Sequence, residues 1–178
     1  MLRAVSRAAL LVAALLLAGC SDDDPGGGSS DRAAVEEQLA ALYAGDHAAA
    51  SDTEAAACFA GELVDRAGLD RLRDAGIVTG SGEVASELPA FDEETARLWV
   101  AAQFACTDYV EESTRAMEAQ SKGRLDADRY AACLRDALGP EQLQDAVVAS
   151  LTGAWDAPEV TELADAQAGC STEAQRRR

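Results

Sequence analysis

Residues 51–75 read SDTEAAACFAGELVDRAGLDRLRDA, and residues 126–146 read DADRYAACLRDALGPEQLQDA. Set side by side, the two stretches share a frame. Ser51 and Asp126 each stand seven residues before a cysteine, Cys58 and Cys133, and a leucine follows each cysteine at five residues, Leu63 and Leu138. Each then has a glycine, three residues, a leucine, one residue and Asp-Ala: Gly68, Leu72, Asp74 and Ala75 in the first, Gly139, Leu143, Asp145 and Ala146 in the second. The first stretch carries four extra residues between leucine and glycine. That is close to one helical turn of about 3.6 residues, so it lengthens a helix with little rotation of its face.

The match continues outward. An aromatic-aspartate pair, Phe91-Asp92 or Trp155-Asp156, precedes a second cysteine, and fourteen residues separate each aspartate from Cys106 or Cys170. An apolar residue recurs seven before the cysteine, Trp99 and Leu163, two turns away on the same helical face. Ala102-Gln103 and Ala166-Gln167 hold the same offset. We read an internal duplication, with units of about 51–106 and 126–170.

The punctuation between these landmarks is helical. Val35, Leu39 and Leu42 give residues 31–43 one apolar face. Ser51-Asp52-Thr53-Glu54 reads as a capping box opening a helix that ends at Gly68, where glycine permits a left-handed turn. Residues 69–75 make a short helix, and residues 77–90, with glycine, serine and proline, a loop. Asp92 caps a helix over 93–106, with Phe91 placed as a hydrophobic staple. Helices follow over 109–121, 127–138, 141–151 and 158–169, with Pro140 and Pro158 where a first turn tolerates proline. No stretch alternates at period two. The expected fold is all-α, a small helical bundle of two related units over residues 32–170, with residues 171–178 a disordered tail.

The amino terminus carries an address. Arg3 and Arg7 precede a ten-residue apolar run from Ala8 to Leu17, then Ala18-Gly19-Cys20. A spanning helix needs about 20 apolar residues, so the run is a signal peptide and residues 1–19 are removed. Leu17-Ala18-Gly19-Cys20 resembles the box of bacterial lipoproteins. The resemblance implies a diacylglyceryl group on the Cys20 sulfur and a location at the outer face of the cytoplasmic membrane. Two acyl chains hold a protein stably where one binds only marginally. Residues 20–31, with Asp22-Asp23-Asp24 and Gly26-Gly27-Gly28, read as a flexible acidic tether.

The cut leaves roughly 145 residues beyond the tether, the size of one domain. It removes two of 15 basic residues and none of the 32 acidic ones, so the mature chain is more acidic than the net charge of −17. Such a charge excludes nucleic acid, whose phosphates require lysine and arginine. It also keeps the body off anionic lipid, so the expected membrane contact is through Cys20 alone.

Four cysteines remain, an even number in an exported chain, and they allow three pairings. If each unit closes on itself the bonds are Cys58–Cys106 and Cys133–Cys170; pairing between units respects the same symmetry. Their spacing lacks the close pairs of a zinc site and the Cys-x-x-Cys of a redox dithiol, so no metal or cofactor is expected. His47 is the only histidine, in Gly45-Asp46-His47-Ala48, with no nucleophile elbow or oxyanion motif to make Ser51 or Asp52 its partners. Trp99 and Trp155 are assigned to core packing.

The combination of Cys-x4-Leu and Gly-x3-Leu with a downstream cysteine, and the helix ending Leu151-Thr152-Gly153, resembles small disulfide-containing helical lipoproteins and secreted proteins of high-GC Gram-positive bacteria. That resemblance implies no activity. The expected function is a non-enzymatic binding or interaction module. The alternative is a small-ligand carrier, with a pocket between the units lined by Trp99, Phe104 or Tyr109.

Overall fold

The computed structural model describes residues 27–45 and 50–175. They form seven helices: α1 (Gly27–Ala44), α2 (Ala50–Asp74), α3 (Glu93–Cys106), α4 (Tyr109–Ser121), α5 (Ala127–Ala137), α6 (Pro140–Leu151) and α7 (Pro158–Gln175). The fold is an all-α small helical bundle. Among the described residues the only β pairing is one isolated bridge, Val78 to Val84.

Three boundaries differ most from the sequence reading. α1 begins at Gly27, inside the stretch assigned to the tether, and α7 runs to Gln175, into the stretch assigned to a disordered tail. The second extension has a clear cause: Ala174 is buried in the core one turn beyond Cys170, so packing carries the helix past Gly169. The start of α2 at Ala50 also places Ser51 inside the helix rather than at its cap.

α2 is two arms, not one rod. Gly68 has φ 72° and ψ 156°, a conformation open essentially to glycine alone. The break redirects residues 69–74, so that Leu72 is fully buried. The chain then doubles back: Val78 N–H donates to Leu72 O at 3.0 Å and Ala85 N–H to Ile77 O at 2.9 Å. Residues 77–90 form the expected loop, but its Ile77 and Val78 are core residues. α1 holds this loop from outside, where Gln38 Oε1 accepts Val84 N–H at 2.9 Å.

The described residues form two apolar cores. The first joins α1, α2, the 77–91 loop and α3, and the end of α6 reaches it through Val148. A run of rings crosses it: Tyr43 stacks on Phe59 with centroids 4.3 Å apart, and Trp99 meets Phe59 at 4.8 Å and Phe91 at 5.2 Å. The second core gathers Val110, Leu125, Tyr130, Leu134, Leu143 and Leu163 from α4 to α7. α6 serves both, giving Leu143 and Ala146 to the second core and Val148 to the first. Phe104, at the end of α3, packs against both as well.

The disulfides are Cys58–Cys106, with Cα atoms 5.7 Å apart, and Cys133–Cys170, at 5.6 Å. They tie α2 to the end of α3, and α5 to α7. With partners 48 and 37 positions apart in sequence, each restricts the unfolded chain by about 4 kcal/mol in the loop-entropy picture.

Candidate functional site

α3 ends at Cys106 because Thr107 turns extended, and Asp108 opens α4 four residues before the first helical backbone bond, from Glu112 N–H to Asp108 O, satisfies an amide. Asp108 Oδ1 accepts the N–H of Val110 at 2.8 Å and of Glu111 at 3.2 Å. Arg135, from α5, donates to Asp108 Oδ2 at 3.1 Å. Burial pushes the Asp108 carboxyl up, but the Glu111 amide, the Arg135 guanidinium and the Val110 amide outweigh it and hold it below the usual aspartate range.

This junction floors an open groove of about 630 Å³ between the two cores. Its apolar lining includes half-buried Phe104 and Tyr109 with Leu138, Pro140 and Leu143; Asp108 and Arg135 supply the charge. The rings of Phe104 and Tyr109 lie nearly parallel, with centroids 6.0 Å apart. Tyr109 is fixed from behind. Gln167 Nε2, on α7, donates to Tyr109 Oη at 3.1 Å and to Ser113 Oγ at 3.2 Å, and Ser113 Oγ lies 2.9 Å from the Tyr130 hydroxyl. Burial raises the Tyr109 hydroxyl above its ordinary pKa, against the opposing Gln167 hydrogen bond.

Of the three residues expected to line a pocket, Phe104 and Tyr109 do so. Trp99 does not, because it is buried in the first core among Phe59 and Phe91. The assignment of Trp99 to core packing holds. That of Trp155 is overturned: it is 69% exposed, whereas its sequence counterpart Phe91 is buried. The cause is Pro158. Proline restricts the residue before it to extended backbone, so α7 starts one residue later relative to its cysteine than α3 does. Ala157, not Asp156, then precedes the helix, and the aromatic-aspartate pair slides off the cap into an exposed turn.

Cys20, the residues 1–19 read as a signal peptide, and His47 lie outside the described residues. Among the described residues no group of three or more His, Cys, Asp or Glu side chains could hold a metal ion, and no helix is long and apolar enough to cross a membrane. Sequence reasoning missed Asp108, Arg135 and Gln167. Asp108 carried a legible signal, since it follows a helix end and precedes a new apolar period; the pairing with Arg135 required the tertiary fold.

No protein family, curated protein or solved structure matches the chain.

Proposed function

We propose that this chain is a non-enzymatic binding module held at the outer face of the cytoplasmic membrane by lipid on Cys20. The groove between the two cores is its binding site. One observation carries the reading: two stacked, half-buried rings, Phe104 and Tyr109, are presented to solvent at the seam of two disulfide-closed cores. Aromatic side chains fixed by a rigid scaffold give large contact area with little ordering entropy. Asp108 and Arg135, the charged groups of the groove, are engaged with each other and with the start of α4, which suits recognition better than proton transfer. An open groove fits an extended partner; an enclosed cavity would suit a small ligand better.

We further read the two disulfide-closed segments as copies of one ancestral unit. Supporting this, each bond joins the first helix of a segment to its last, and the matched positions Leu63 and Leu138, Leu72 and Leu143, and Trp99 and Leu163 are buried in both.

Two measurements test the function. Cys20→Ser is expected to move the protein from the membrane fraction to the soluble one; unchanged membrane retention would contradict the anchor. A photo-crosslinking residue at Ala105, which is exposed and lines the groove, is expected to give adducts in intact cells that a crosslinker at Glu162 of α7 does not. Equal labelling from both positions would contradict the site.

A further inference from the structure

We infer that the partner seated in this groove presents a cationic amphipathic segment; the inference rests on the binding-module reading above. A second hollow of about 580 Å³ shares Cys106, Thr107, Asp108 and Arg135 with the first. The two therefore form one surface on either side of the Asp108–Arg135 pair. The first arm is apolar. The second is lined by five carboxylates and two guanidiniums.

Both guanidiniums are already taken. Arg115 binds Asp52 at 2.6 Å and also Glu112, and Arg135 binds Asp108. Glu111, Glu118 and Asp128 are exposed on this arm and have no ion-pair partner among the described residues. Glu111 and Glu118 are seven apart on α4, two turns along one face. Asp128, in the first turn of α5, stands on the other wall.

Three unneutralised carboxylates facing one hollow, in a chain of net charge −17, focus negative potential there. The adjoining arm offers rings and leucines. A segment with lysine or arginine on one face and apolar side chains on the other satisfies both arms at once. An anionic segment would meet unpaired carboxylates, and a purely apolar one would leave the acidic arm unused.

The test uses the full-length oxidised protein in detergent. The probe is a fluorescent Lys/Leu peptide with helical period, compared with a Glu/Leu counterpart and a scrambled Lys/Leu peptide. The Lys/Leu peptide is expected to bind at low salt, weaken as salt rises and outcompete both controls. Glu111→Gln with Glu118→Gln and Asp128→Asn should weaken binding about tenfold, and Ala105→Arg, at an exposed position of the apolar arm, by a similar factor. The triple Glu162→Gln, Asp165→Asn and Glu173→Gln makes the same charge change on α7 and should alter affinity less than about twofold. Matching circular dichroism spectra and melting temperatures establish that every variant is folded.

No binding of the Lys/Leu peptide, equal losses in both triples, or an Ala105→Arg variant that binds normally would each overturn the inference. The groove reading fails separately. If the peptide does not bind but position 105 still crosslinks in cells, the site stands and the partner has other chemistry; if both fail, the site falls too.

Discussion

Arg135 reaches from α5 to within 3.1 Å of the Asp108 carboxylate, the group that caps α4. One contact thus fixes the start of one helix against the side of another, at the seam where the groove forms. Its two halves differ in strength. Asp108→Ala removes the cap and should cost about 1 kcal/mol of stability. Arg135→Ala breaks an exposed ion pair and should cost less than about 1 kcal/mol. Chemical denaturation of the two variants checks the order, which reverses if the ion pair rather than the cap organises the junction.

The same carboxylate and Asp92 are expected to contribute to the acid limit of the fold. Asp92 lies below the usual aspartate range because Thr95 donates to it through both its amide and its hydroxyl, with Arg71 adding to the effect against a modest burial penalty. A carboxyl with a depressed folded pKa contributes stability that is present above its unfolded value and lost as pH falls through the folded one. Melting temperature should therefore drop as pH falls below the ordinary aspartate range. Asp92→Asn with Asp108→Asn keeps competent caps and should flatten that acid limb. A double variant with an unchanged acid profile would contradict the assignment.

Gly68 and Gly139 hold matching places in the sequence frame but have opposite backbone signs, φ 72° and φ −73°. Gly68→Ala should cost about 1–3 kcal/mol, since a Cβ is strained there. Gly139→Ala meets only Gln142 Oε1 at 3.4 Å and should change stability by less than about 1 kcal/mol. Equal effects on the melting temperature would refute the contrast.

The two disulfides differ in access. Cys58 is exposed and Cys106 half-buried, whereas Cys170 is 2% exposed and Cys133 half-buried. Thiol–disulfide exchange requires access to a sulfur, so limiting reductant under native conditions should open Cys58–Cys106 first. Differential alkylation followed by peptide mapping reads the order directly. Removing either bond by paired Cys→Ala substitution should cost about 2–5 kcal/mol.

Tyr130 is fully buried, and its hydroxyl is held by Ser113 within the chain that ends at Tyr109. Tyr130→Phe should cost about 1–2 kcal/mol, because it leaves a half-buried network short of one partner. Loosened Tyr109 ring packing, seen in aromatic proton spectra, is expected to accompany it.

Much of this architecture was legible in the chain. Punctuation by Gly68, Asp92, Pro140 and Pro158 marks helix ends through local backbone chemistry, so the helices fell close to their expected places. The pairing Cys58–Cys106 and Cys133–Cys170 followed from treating each unit as closed on itself. Trp155 shows where such reasoning stops. Its counterpart Phe91, read as a staple, is buried, and Trp155 was assigned to core packing, but Pro158 starts α7 one residue later in the matched frame than Glu93 starts α3, which leaves the Trp155 ring in an exposed turn. The groove was half legible: Phe104 and Tyr109 were in view as aromatics near a helix junction, whereas Arg135 joins them only through the packing of α5 on α4. The frame also gave no sign that α6 would feed both cores, since periodicity marks an apolar face and not which neighbour covers it.

Trp155 is the competing surface, so the decisive measurement sets it against the groove. Hydrogen exchange of the protein in native envelope membranes, compared with the protein purified in detergent, reports which backbone becomes covered. Slowed exchange at residues 104–110 and 135–143, with the 153–157 turn unchanged, is the expected result. Protection confined to the turn around Trp155, with the groove exchanging as freely as in detergent, would contradict the account.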